Sequence, residues 1–289
     1  YMVKKYPSTN FYNVDKMDYC ANLSNITVSN CNNYLYFKCD INNKDMISYI
    51  LNTHKIDVII HFAAQSHVDN SFDNSLQYTI DNVMGTHVLL DCSKNYGKLK
   101  KFIHISTDEV YGEVDINNPG CHEKSILNPT NPYAATKAAA EMLVNSYAHS
   151  YKLPSIITRS NNVYGPNQYP EKLIPKFYKL LSENQKLTIH GKGHSRRNFI
   201  HVYDVSTAIE IILIKGILHE IYNIGTTNEY TVLEIAQQIL NVVKPGENLN
   251  DWIEYVVDRP FNDFRYHINC EKLMKLGWKE VIPFDIKNI

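Results

Sequence analysis

The chain has 289 residues, 44% hydrophobic and 20% charged, with a formal net charge of −1. That is ample for a large core, as one big domain or two smaller ones. Lys/Arg and Asp/Glu are interspersed without a basic stripe, which argues against a nucleic acid or an anionic membrane as partner.

In chain order, YMVKKYPS reads as the tail of a helix. NFYNVD, YLYFKCD, DVIIHFAA, KFIHIST and PSIITRS are short apolar or β-branched runs, several of them near-continuously apolar, as in strands buried on both faces. Between them KDMISYILNTH, SLQYTIDNVMGTHVLLDCSKNYG and PYAATKAAAEMLVNSYAHSY read as helices. This alternation predicts an α/β fold, a Rossmann-like doubly wound parallel sheet, with ligands beyond the carboxyl ends of the strands. Asp15, Asp40, Ala63, Ala64, Thr107, Asp108 and Glu109 all fall at such ends and are expected along one crevice. After about residue 165, PEKLIPKFYKLL, VYDVSTAIEIIL, TVLEIAQQIL and CEKLMKLGW read as helices among short strands. The expected division is 1–165 for the dinucleotide-binding domain and 166–289 mainly for a smaller α/β substrate lobe. The longest apolar runs, such as DVIIHFAA and AIEIILI, are far below the ~20 residues that span a bilayer. Six cysteines show no CxxC pair and no zinc-site spacing, which reads as reduced thiols in a cytoplasmic protein with no metal.

The start departs from this pattern. A dinucleotide-binding unit opens with a strand and a G-x-G-x-x-G loop, and an acid ends its second strand. Asp15 fits that acid, but only 14 residues precede it and none is glycine. The reading is a sheet whose first strand and glycine loop are missing, and therefore a chain that folds poorly alone.

STDEVYG follows the apolar run KFIHI, placing two adjacent carboxylates where a buried strand ends. Burying a charge is costly unless it has a partner or a task. Downstream, Tyr133 and Lys137 in NPYAATKAAAE are spaced i, i+4 on one helix face. A lysine ammonium beside a phenol is expected to lower its pKa, so that the phenolate can take a proton from a sugar hydroxyl. The Y-x-x-x-K spacing alone is weak, since it occurs five times here. Tyr133/Lys137 differs in opening a helix behind Asn-Pro, with STDEVYG upstream at a strand end.

Together STDEVYG, YAATK, HFAAQSHVDNS, NNVYGPNQYPEKLIPKF, GKGHSRRNFIHVYDV, YNIGTTNE and DRPFNDFRYHI resemble the nucleotide-sugar 4,6-dehydratases, extended short-chain dehydrogenase/reductases typified by the dTDP-glucose 4,6-dehydratase family. The resemblance runs from Asp15 to about Trp278. It implies an NAD-dependent hydro-lyase acting on dTDP-glucose or UDP-glucose, towards rhamnose-type deoxysugars. Epimerases of that superfamily move one hydride out and back at C4. A dehydratase must also remove water across C5 and C6, which needs a second acid and base. By resemblance Tyr133, aided by Thr107 and Lys137, serves the C4 oxygen, Glu109 is the base at C5, and Asp108 is the acid at C6. Asp15 and Lys16 are implied at the adenosine ribose, and Asp40 and Ile41 at the adenine. Phe62, Ala63, Ala64, Gln65, Ser66, Tyr133, Lys137 and Val163 are implied at the nicotinamide side. Ser66, Thr107, Asn162, Lys172, Leu173, Arg197, Asn228, Arg259 and Asn262 are implied substrate contacts, the two arginines suiting a diphosphate. Asn262 stands where bacterial members carry His, which bears on recognition of the nucleotide base. Without the glycine loop, NAD binding by these 289 residues is expected to be weak. The family also implies a homodimer through paired helices. An epimerase or decarboxylase of the same superfamily, or an inactive sugar-nucleotide-binding relic, stays open as the alternative.

Overall fold

The computed structural model describes residues 1–258 and 260–288. Helix α1 (Met2–Lys5) leads into β1 (Phe11–Asp15), β2 (Tyr34–Lys38), α2 (Lys44–Thr53), β3 (Val58–His61), α3 (Val68–Asp73) and α4 (Ser75–Tyr78). A π-helical segment (Thr79–Met84), α5 (Gly85–Tyr96), β4 (Lys101–Thr107), α6 (Pro132–Tyr151) and β5 (Ser155–Ser160) follow. The remainder comprises β6 (Asn162–Tyr164), α7 (Leu173–Ser182), β7 (Leu187–His190), β8 (Arg196–His201), α8 (Val202–Lys215), β9 (Ile221–Ile224), β10 (Glu229–Thr231), α9 (Val232–Val243), α10 (Leu249–Trp252), β11 (Ile253–Val256) and α11 (Glu271–Lys275). All five strands expected in the first half are present.

β3, β4, β5 and β9 form a parallel sheet in that order, with Ile103 opposite both Ile60 and Ile156. β4 is apolar on both faces because both are covered. Phe102 packs into one layer with Leu89, Leu90 and Val144 of α5 and α6, and Ile103 into the other with Val205, Ile209 and Ile212 of α8. β1 and β2 pair parallel as a separate two-stranded sheet. Between β1 and β3 lies a cavity of about 1170 Å³, bordered by residues 11–16 on one side and 58–65 on the other. Among the described residues no strand pairs with the facing edges of β1 and β3. The sheet is thus open where the sequence reading places its first strand.

Local sequence sets the ends of the helices that carry the site. Asn131 caps α6 by accepting from Ala134 N at 2.8 Å, with Pro132 in the first turn, where its missing N–H costs nothing. α9 begins with a capping box between Thr231 and Glu234. The run read as one helix from Ser75 is interrupted at Thr79–Met84 by a π-helical turn. The wider turn directs Asn82 inward, where its amide bonds to Gln65 N, Gln65 O and Thr136 Oγ1.

The second lobe has its own core of Ile174, Phe177, Leu181, Leu187, Ile189, Ile235, Ile239 and Leu240, from α7, β7 and α9. Elements on the two sides of residue 165 are interleaved. α8 packs on the main sheet and β9 pairs with β5, so residues 202–224 return to the first layer. A contiguous split read from helical rhythm cannot register such a return, because pairing partners are distant in sequence.

Candidate active site

β4 ends at Thr107, whose hydroxyl accepts from Glu109 N at 3.3 Å and starts a single tight turn, Asp108–Tyr111. Asp108 and Glu109 are both buried at that turn. Asn161 Nδ2 donates to Asp108 Oδ2 at 2.7 Å, and Asn131 Nδ2 donates to Glu109 Oε2 at 3.0 Å. Burial pushes the Asp108 carboxyl up to about 7, against the pull of the Asn161 hydrogen bond and with a further push from Glu109. Burial also raises Glu109, with Asn131, Arg197 and Lys172 opposing.

α6 presents Tyr133 and Lys137 to the same place, both buried. The relation between them departs from expectation. Lys137 Nζ donates to the Ile105 carbonyl at 2.6 Å, and burial brings its pKa down to about 8. The Tyr133 phenol is raised, not lowered, chiefly by burial and then by Glu109, with Thr107 opposing. Burial and the two neighbouring carboxyls disfavour a phenolate here, while the Lys137 ammonium is turned to a backbone carbonyl.

Of the implied cofactor contacts, Asp15, Lys16, Asp40, Ile41, Phe62, Ala63, Ala64 and Gln65 line the cavity between β1 and β3. Asp15 Oδ1 holds Met17 N at 2.7 Å, and Asp40 Oδ1 accepts from Asn42 N at 2.8 Å. Lys16 is paired with Asp81 at 2.8 Å and Asp18 at 3.0 Å, so its ammonium points to carboxylates. Val163 is in β6, packed beside the α8 core layer.

Among the implied substrate contacts, Lys172 Nζ bonds to the Ser66 carbonyl, and its charge opposes the burial that raises Glu109. Leu173 begins α7, and Asn162 begins β6. Arg197 lies 4.6 Å over the Tyr266 ring, donates to Asn262 Oδ1 at 3.3 Å, and its charge opposes the burial that raises Asp108 and Glu109. Asn228 turns its backbone to Asn198 and Thr226. Arg259 lies outside the described residues.

Sequence reasoning missed Tyr266, Asp263, Asn131 and Asn161. Tyr266 Oη reaches Glu109 Oε2 at 3.4 Å and bonds to Asp263, which also accepts from Thr130. It missed as well the buried Arg159, which grips Glu141 at 2.6 Å and the Tyr111 hydroxyl at 2.8 Å. The one available signal was Glu141, four residues beyond Lys137 on the same helix face.

A doubly wound sheet with Tyr and Lys one turn apart on a helix, facing a strand end, defines the class of extended short-chain dehydrogenase/reductases. Within that class the chain belongs to the GDP-mannose 4,6 dehydratase family, whose model matches residues 1–286. It is 51% identical over 281 residues to a trifunctional UDP-glucose 4,6-dehydratase/UDP-4-keto-6-deoxy-D-glucose 3,5-epimerase/UDP-4-keto-L-rhamnose-reductase of Arabidopsis thaliana, covering 96% of this chain and 42% of that protein. The chain thus spans about two fifths of the length of such trifunctional relatives. It is 45% identical to the dTDP-D-glucose 4,6-dehydratase of Dictyostelium discoideum, over 99% of this chain and 75% of that one. Its structure is similar to the dTDP-glucose 4,6-dehydratase DesIV of Streptomyces venezuelae with NAD and TYD bound, with a TM-score of 0.93, 34% identity, and coverage of 98% and 87%.

Proposed function

We propose that this chain carries the nucleotide-sugar 4,6-dehydratase reaction, converting dTDP-glucose or UDP-glucose to the 4-keto-6-deoxy sugar nucleotide. The observation that carries this reading is the buried Asp108–Glu109 pair at the end of β4, facing Tyr133 and Lys137. An epimerase has no use for two buried carboxyls there, and their burial carries a cost that a catalytic task explains.

The cavity walls fit NAD at its two ends. Asp15, Asp40 and Ile41 lie at the carboxyl ends of β1 and β2, and residues 62–65 follow β3 towards Tyr133. Among the described residues no glycine lines this cavity, so the pyrophosphate holder is not part of the fit. NAD, when bound, supplies the hydride acceptor and donor and a positive ring. Tyr133 would take the C4 hydroxyl proton once charge in the loaded site offsets the burial that raises its phenol, with Thr107 holding the C4 oxygen. The resulting ketone acidifies C5, whose proton passes to Glu109, while Asp108 protonates the departing C6 hydroxyl. Arg197 and Lys172 supply positive charge towards the diphosphate and the pair. The class of product is a precursor of rhamnose-type deoxysugars.

The reading also includes a homodimer. Leu76, Ile80 and Met84, along α4 and the π-helical turn, and Met142 on α6 stay largely exposed, as an apolar face between paired helices would be. To test the activity, the chain is incubated with NAD and either dTDP-glucose or UDP-glucose, and the 4-keto chromophore is read in alkali. Isomerised sugar without that chromophore would refute a dehydratase.

A further inference from the structure

The two catalytic carboxyls are each held by one asparagine, and each asparagine has its orientation decided by a backbone N–H. Asn161 Oδ1 accepts from Thr226 N at 3.1 Å. A backbone N–H can only donate, so the group facing it must be the amide oxygen. The amino group of Asn161 is thereby turned to Asp108 Oδ2, at 2.7 Å. The same logic holds at Asn131. Its Oδ1 is committed to Ala134 N at 2.8 Å as the cap of α6, so its amino group faces Glu109 Oε2 at 3.0 Å.

A second observation shows that the Asn161 orientation is built in. A Cβ on Gly225 would lie 2.1 Å from Asn161 Oδ1 and 2.9 Å from its Cγ. Only glycine at that position, next to Thr226, leaves room for the amide. Asn161 is itself 2% exposed, so no solvent competes for it.

We propose that Asn161 and Asn131 are positioning residues that commit one oxygen of each carboxyl as a permanent acceptor, leaving Asp108 Oδ1 and Glu109 Oε1 to exchange protons with the sugar. A hydrogen bond accepted from an amide N–H lowers the basicity of that oxygen, so protonation favours the other one. The Thr107 hydroxyl donates to Asp108 Oδ1 at 3.2 Å when the carboxyl is ionised, and the proton of Asp108 is assigned to Oδ1 with that hydroxyl turned to accept it. Tyr266 Oη, at 3.4 Å, adds to the commitment of Glu109 Oε2, not Oε1. During elimination the C5 proton moves to Glu109 Oε1 and the C5–H pair becomes the C5=C6 bond. The C6–O pair leaves with the hydroxyl, which takes the Oδ1 proton of Asp108 and departs as water. One proton enters the pair and one leaves it, so its charge is unchanged. This inference rests on the dehydratase reading for its chemistry, but the oxygen assignment stands on geometry alone.

The test uses the full chain labelled with ¹³C at aspartate side-chain carboxyls, with Asp108→Asn to assign the signal. Asn161→Leu keeps the approximate volume and removes the donor. Asp108 should then titrate about one unit higher, because its charged form has lost a hydrogen bond. Gly225→Ala, which displaces the amide without touching Asp108, should shift it in the same direction. Where Asn161→Leu does not fold, Gly225→Ala carries the test. An unmoved Asp108 midpoint in a folded variant of either kind would overturn the proposal. In turnover, the alkaline limb of the pH–rate profile should move up with the NMR midpoint. Wild-type chain giving no 4-keto product would count against the dehydratase reading while leaving the carboxyl titration to decide the oxygen assignment.

Discussion

At the scale of single residues, Asp108 and Glu109 are neighbours in sequence with different surroundings. Asp108 is held by Asn161 next to Thr107, and Glu109 by Asn131 next to Tyr266. Asp108→Asn and Glu109→Gln should each slow water elimination by ~10²–10⁴-fold while sparing the initial C4 oxidation, seen as NADH absorbance in a single turnover. Full product turnover by either variant would remove it from the mechanism. The pH dependence follows from the sign of the shifts. An acid at Asp108 must be protonated, so elimination should fall as pH rises through about 7. Stability has the same sign. A carboxyl whose folded pKa is raised binds more protons folded than unfolded, so its contribution is complete below ~4 and lost as pH rises through the folded value. Urea melts of wild type and Asp108→Asn should keep a constant gap below pH ~4, separate between ~4 and about 7 in favour of Asp108→Asn, and run parallel above 7. A gap that does not change between pH ~4 and about 7 would show that the Asp108 pKa is not raised in the fold.

At the scale of elements, the site depends on one strand end, one turn and one helix being held together. Arg159 of β5 does this from behind. It grips Glu141 of α6 and the hydroxyl of Tyr111, and that hydroxyl bonds to Asn223 of β9 at 2.8 Å. Glu141→Ala leaves a buried guanidinium uncompensated and should cost about 3–5 kcal/mol in chemical denaturation. Replacing both partners, Glu141→Leu with Arg159→Met, should recover most of that loss. A double variant no more stable than Glu141→Ala would mean that the pair is not coupled. Gly112 closes the same turn with φ +75°, and a Cβ there would lie 2.1 Å from the Asn128 carbonyl oxygen. Gly112→Ala should therefore disturb Asp108 and Glu109 through the backbone, lowering thermal stability and turnover together.

At the scale of the molecule, the parallel sheet is in two pieces on either side of the cavity. Amides of β1 and β3 that face the cavity have no strand partner among the described residues, whereas β4 is paired on both sides. Hydrogen exchange should be fast at Val58–His61 and Phe11–Asp15 and slow at Phe102–Thr107. Uniform protection across all three would show that another segment fills the opening. The exposed apolar side chains of α4, the π-helical turn and α6 predict a mass of twice 33.4 kDa by light scattering. A single-chain mass at micromolar concentration would refute the homodimer.

The sequence by itself determined the local and periodic features. Apolar runs such as KFIHI and SIITR form strands because both their faces are covered, and Asn-Pro before Tyr133 starts a helix whose i, i+4 spacing sets Tyr133 and Lys137 on one side. The carboxyl pair at a strand end was legible for the same reason, since its position depends only on where the strand stops. Tertiary structure alone decided the partners. Asn161 meets Asp108 across 53 residues, Asn131 meets Glu109 across 22, and β9 returns to β5 from beyond the presumed lobe boundary. It also decided the charge states. Burial raises the phenol of Tyr133 where spacing alone predicted a lowered one, because desolvation depends on everything packed around a group and not on its neighbours in the chain.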